Sequence, residues 1–123
     1  MVTTAVVALI FNGDKILSVS RKTNHLDVGF PGGKLDQGET CEQAIKREVF
    51  EETGLEIIRY REIDDRFDET GTFVKMYIVD EYSGEISTTE AGLVEWVHPS
   101  RLCRDKCSFR IYNQKLLNKM KLL

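Results

Sequence analysis

The chain predicts an α/β (α+β) sandwich in which helices cover a central mixed β-sheet. Three observations support this. Apolar, β-branched runs separated by turn residues stand on both sides of one helix, that helix carries a complete capping box, and a last segment places large apolar side chains at helical spacing. The pattern fits two or three layers. At 123 residues, with 41% hydrophobic and 30% charged side chains, the chain suits one soluble domain spanning 1–123 with a core of its own.

The elements follow in order. Thr3 to Phe11 (TTAVVALIF) is an apolar β-branched run, and Asn12-Gly13 is a favoured hairpin turn. Lys15 to Ser20 is the returning strand. Arg21 to Gly29 is polar and expected to be a loop, leading to Phe30 and a Pro31-Gly32-Gly33 turn. Thr40 and Gln43 form the capping box of a helix over about 41–53, and Gly54 suits the left-handed position just past its end. Leu55 to Phe67 and Thr72 to Tyr82 read as two strands around a turn holding Gly71. Ser83-Gly84 marks a further turn, and Leu93 to Val97 a short strand stopped by Pro99. Phe109, Tyr112, Leu116, Met120 and Leu123 fall on one face of a terminal helix, a packing stripe.

The middle helix carries the chemistry. On a helical wheel Glu48, Glu51 and Glu52 fall within an arc of roughly 100°, on the side where Cys41, Ala44, Ile45 and the flanking Leu55 project. Like charges crowded at a buried face raise one another's pKa, and desolvation adds to the cost. Alone, the REVFEE segment would pass for a solvated, ion-paired helix end, since Arg47 and Glu51 stand four apart. The preceding Pro31-Gly32-Gly33 changes the balance, because glycine lets backbone groups approach a ligand closely. Hard divalent cations remove the electrostatic objection, carboxylate oxygens being the ligands that Mg²⁺ and Mn²⁺ prefer.

The spacing is also distinctive. Gly33 is followed after five residues by Glu39, and after seven more by Arg47-Glu48. Val49, one free position, Glu51-Glu52, one more free position and Gly54-Leu55 complete it. Over residues 33–55 the chain resembles the Nudix hydrolases at every defined position. The resemblance implies an α/β/α sandwich, a metal held by Glu48, Glu51, Glu52 and a carbonyl of Gly32 or Gly33, and an Arg47–Glu39 pair bracing helix against loop. It also implies hydrolysis of a nucleoside diphosphate linked to another group. Mg²⁺, with Mn²⁺ as substitute, would neutralise the diphosphate and activate water for in-line attack. Glu90, followed after four residues by Glu95-Trp96, stands where MutT-type members place another metal-binding glutamate. Whether Glu90, Glu48, Glu51 or Glu52 takes the proton stays open.

For substrate, the branch markers are thin. The ADP-ribose branch carries a proline about fifteen residues beyond the box, where this chain has Asp68 to Thr72. The dinucleoside-polyphosphate branch carries a tyrosine slightly further on, a place that Phe73 and Tyr77 straddle. Size and elimination favour a MutT-type nucleoside triphosphate pyrophosphohydrolase releasing a monophosphate and pyrophosphate. Nucleotide sugars, ADP-ribose, dinucleoside polyphosphates and capped RNA are the alternatives. A binding-only regulatory module is disfavoured because every box glutamate is present. Phe30, Phe73, Tyr77 and Asn113 are candidates for a base pocket. Asn113 is drawn in because MutT-type enzymes read a modified guanine with an asparagine near the last helix.

Composition excludes other classes. The net charge of −3 hides 7 basic and 1 acidic residue in positions 99–123, but no aromatic stripe accompanies the charge, so nucleic acid is not indicated. No apolar run is long enough for a membrane, and no signal-peptide pattern opens the chain, so a cytoplasmic monomer or homodimer is expected. Cys41, Cys103 and Cys107 make no disulfide framework, and with His98 they fall short of a tetrahedral zinc set. His25 and His98 lie outside any catalytic context.

Overall fold

The structure is a computed structural model and describes residues 2–87 and 92–123. Seven strands form one sheet among these residues: β1 (Thr4–Asn12), β2 (Lys15–Arg21), β3 (Asn24–Gly29), β4 (Gly32–Lys34), β5 (Glu56–Phe67), β6 (Phe73–Ser83) and β7 (Val94–Val97). Helix α1 (Cys41–Thr53) lies between β4 and β5. A 3₁₀ turn (Pro99–Cys103) and helix α2 (Arg110–Lys119) follow β7. The main strand order is β3-β2-β1-β6-β5, with β4 pairing to β1 and β7 to β2. The sheet is mixed because β1 runs parallel to β6, from Thr4 opposite Phe73 to Ile10 opposite Val79, while the other pairs are antiparallel.

Period-two alternation along β1 explains the three layers. Val6, Ala8 and Ile10 face one side and join Ala44, Ile45 and Val49 of α1, with Leu17, Leu55, Tyr77 and Val79. Leu9 faces the other side with Ile16, Val74 and Met76, against Leu102, Tyr112, Leu116 and Leu117. Each helix therefore covers one sheet face, the α/β/α arrangement. No helix among the described residues is long and apolar enough to cross a membrane.

Helix α1 begins and ends where its sequence directs. The Gln43 amide donates to Thr40 Oγ1 at 3.1 Å, and the Thr40 amide donates to Gln43 Oε1 at 2.9 Å. Gly54 closes the helix at φ 83°, a conformation that costs most residues a Cβ clash.

Two expectations need correction. Residues 24–29 form a strand, not a loop: β3 is a sheet edge that turns only Val28 fully inward, so its exposed Asn24, His25 and Leu26 give the apolar alternation little weight. The terminal stripe also ends early. Leu123 lies beyond the helix and is 50% exposed, whereas Leu117, off the expected face, is buried.

Candidate active site

Two glycines bring the loop before α1 against the helix. Gly32 has φ 154°, and a Cβ there would fall 2.0 Å from the Val6 carbonyl oxygen, so only glycine lets the loop lie on β1. A Cβ on Gly33 would meet the Glu48 carboxylate at 2.7 Å. The missing side chain is the space Glu48 occupies. From the same loop, the Gly32 amide donates to Glu52 Oε1 at 2.7 Å. Burial of Glu52 outweighs this hydrogen bond and pushes its carboxyl up to about 7, with Glu48 and Glu51 repelling its charge as well. Burial raises Glu48 too, against the lowering effect of Arg47.

Arg47 is the brace. Its guanidinium grips Glu39 in a fork, Nε to Oε2 at 2.7 Å and Nη2 to Oε1 at 2.9 Å, and Nη2 donates also to the Lys34 carbonyl at 3.3 Å. Nη1 reaches Glu48 Oε1 at 2.9 Å and Glu51 Oε1 at 2.7 Å. Bidentate pairs of this kind fix geometry as well as charge. Glu39, held by Arg47 and by the Asp36 amide, sits at about 2. The implied helix–loop brace is thus present.

The box carboxylates do not form a ready cage. Among the described residues no three carboxylate, thiolate or imidazole groups are gathered to hold a metal ion. Glu51 is half-exposed and drawn to Arg47, on the rim of the helix and not over its buried face. The donor set nevertheless fits a hard divalent cation. Glu48 and Glu52 stand one turn apart, each partly buried beside Gly32-Gly33, and each has its Oε2 without a hydrogen-bonding partner among the described residues. Two desolvated carboxylates with open oxygens are a poor arrangement without a cation and a good one with it.

Two cavities adjoin this loop. One, of about 430 Å³, lies between the sheet and the start of α2. Its walls include Ala5, Val7, Phe30, Val74, Phe109, Tyr112 and Asn113, with Asp68, Thr70 and Thr72 of the β5–β6 turn. The other, of about 330 Å³, contains Glu52 together with Arg21, Lys22 and Asp27. Both touch Arg21, Gly29, Phe30, Gly32 and Phe109, so an apolar chamber and a charged one meet at Gly32. Arg21 lies 5.9 Å from the Phe109 ring centre and pairs with Asp27 at 3.3 Å.

Residues 1–116 match the family model of the NUDIX domain. The chain is a Nudix family member. It is 39% identical over 95 residues to an 8-oxo-dGTP diphosphatase of Haemophilus influenzae, covering 74% of this chain and 68% of that one. It is 29% identical over 126 residues to an 8-oxo-dGTP diphosphatase of Escherichia coli, covering 95% of each. Among solved structures, the MutT NUDIX hydrolase of Burkholderia pseudomallei superposes with a TM-score of 0.74 at 25% identity, over 94% of this chain and 98% of that one. As a Nudix hydrolase the protein is a pyrophosphohydrolase that acts on a phosphoanhydride bond.

In this Nudix domain Phe30 and Asn113 line the apolar chamber. Tyr77 does not: it is buried on the α1 side of the sheet, edge-on to Tyr60. Strand alternation turns Phe73 toward that same side, where it packs edge-on to Phe67 at 5.2 Å. Glu90 lies outside the described residues. Arg21, Lys22 and Phe109 escaped the sequence reading as site residues. The adjacent basic pair at the end of β2 was the one signal available for the first two. Phe109 was absorbed into the packing stripe of α2. His98 caps the 3₁₀ turn through Nδ1 and Ser100. The three cysteines are free thiols.

Proposed function

We propose that this Nudix hydrolase is a Mg²⁺-dependent nucleoside triphosphate pyrophosphohydrolase that releases a nucleoside monophosphate and pyrophosphate. An oxidised guanine nucleotide of the 8-oxo-dGTP kind is its leading substrate. The observation that carries this reading is the meeting of an apolar, base-sized chamber with a charged chamber at Gly32, beside the box glutamates.

The chain's own groups divide the work. Phe30 and Phe109 supply aromatic surface for a base. The Asn113 amide is committed by its Nδ2, which donates to the Leu102 carbonyl at 2.9 Å. That bond uses one of the two Nδ2 hydrogens, and Oδ1 is the acceptor that this side chain offers a base. Guanine oxidised at C8 carries a proton on N7 that guanine lacks, so an acceptor in this place favours the oxidised base. Arg21 and Lys22 offset phosphate charge in the second chamber. Glu48, Glu51 and Glu52, with the Gly33 carbonyl and Glu90, would hold the divalent cation. That ion supplies charge neutralisation of the diphosphate and a lowered pKa for water. The relatives named as 8-oxo-dGTP diphosphatases support the same substrate.

The test is product analysis with Mg²⁺ across ordinary and oxidised (d)NTPs, ADP-ribose, nucleotide sugars, dinucleoside polyphosphates and capped RNA. Pyrophosphate and monophosphate from a triphosphate, fastest with 8-oxo-dGTP, is the expected result. Turnover of a diphosphate-linked compound alone would overturn the substrate and keep the chemistry.

A further inference from the structure

Helix α2 carries two walls of the apolar chamber, Tyr112 and Asn113, yet supplies no cap for itself. Its N-cap position is Phe109, whose side chain makes no capping hydrogen bond. The first amides of any helix need acceptors from elsewhere. Here they are found across the chamber. Glu69 Oε2 accepts from the Ile111 amide at 3.0 Å, and Oε1 accepts from the Tyr112 amide at 3.2 Å.

Glu69 is held in place by the turn it stands on. Asp68 Oδ1 accepts from the Thr70 amide at 2.8 Å, the Thr72 amide at 3.1 Å and Thr70 Oγ1 at 2.7 Å. Asp68, Thr70 and Thr72 form the opposite wall of the same chamber. One carboxylate thus joins two walls that are about forty residues apart in the chain. A carboxylate at a helix N-terminus also meets the positive end of the helix dipole.

We infer that Glu69 is a positioning residue for base recognition. By capping α2 from the β5–β6 turn it fixes Tyr112 and Asn113 at the chamber wall, and so sets affinity and base selectivity without touching the substrate. This rests on the reading above that the chamber takes the base.

The experiment compares wild type with Glu69→Ala and Glu69→Gln. Amide hydrogen exchange at Ile111 and Tyr112, and the Asn113 side-chain amide resonances, report the cap directly. Steady-state kinetics on 8-oxo-dGTP and dGTP report its effect. Glu69→Ala should speed exchange at both amides, move the Asn113 resonances and raise KM about tenfold, with kcat within about twofold and a narrowed preference between the bases. Glu69→Gln keeps an acceptor oxygen and should recover part of the loss. Unchanged exchange, or a fall in kcat with KM unmoved, overturns the inference. A wild type that cleaves no triphosphate instead sinks the nucleoside triphosphate reading. Amide exchange and the Asn113 resonances then decide whether Glu69 holds α2.

Discussion

Glycine 33 and glycine 32 look alike in sequence and do different jobs, and substitution separates them. The three atoms nearest a methyl group on Gly33 all belong to the carboxyl end of the Glu48 side chain, not to backbone. Gly33→Ala should therefore fold, with a melting temperature near that of wild type, and lose most activity because Glu48 is pushed off the loop. Gly32→Ala puts a methyl 2.0 Å from a backbone oxygen of β1. It should cost about 3 kcal/mol of stability, measurable by urea unfolding. A Gly33→Ala enzyme with full activity would refute the role given to Glu48. The arrangement of the box residues was legible because it is local: helix spacing, a capping box and a glycine turn. Asn113 was legible only through a resemblance. Tyr77 and Phe73 lie away from the chamber, and a sequence does not say which face of a strand points at a cavity. That depends on the register of β6 against β1.

At the scale of elements, α2 is held at both ends by charge. Glu69 caps its start, and Lys119 near its end reaches Asp64 Oδ1 at 2.5 Å and the Ile63 carbonyl at 3.2 Å on β5. Arg66 forks onto Asp64 at 2.7 and 3.0 Å. Hydrogen bonding from Arg66, then from Lys119, holds the buried Asp64 carboxyl below its usual 3.8 despite burial. The sign follows from this direction. Unfolded chains bind the proton more readily, so the stabilisation is present above pH 3.8 and is lost as pH falls through the folded value. Asp64→Asn should cost about 2 kcal/mol at pH 7, and the gap to wild type should close in strong acid. A gap independent of pH would contradict it. Part of the basic tail is therefore structural. Helix α1 was legible to the residue, since its cap and its terminal glycine are written in the chain. Strand β3 was not, because an edge strand with one buried side chain leaves no alternation to find.

For the whole molecule, the site exists because a long-range pairing was made. Parallel β1 and β6 bring residues about seventy positions apart side by side. With them, the β5–β6 turn, the glycine loop and the start of α2 close around one chamber. None of that enclosure is periodic or local, so helical spacing groups the glutamates whereas the full set of walls depends on the tertiary fold. We propose that the chemistry centres on Glu52, whose Oε1 is fixed by the Gly32 amide and whose carboxyl is lifted to about 7 by burial. Glu52→Gln keeps an oxygen to accept from that amide and removes the charge that a divalent cation needs. The most direct measurement is pyrophosphate release from the best triphosphate at saturating Mg²⁺, wild type against Glu52→Gln, with the melting temperature of each. Glu52→Gln should lose roughly a hundredfold or more in kcat while still folded. Wild-type turnover by Glu52→Gln would contradict it.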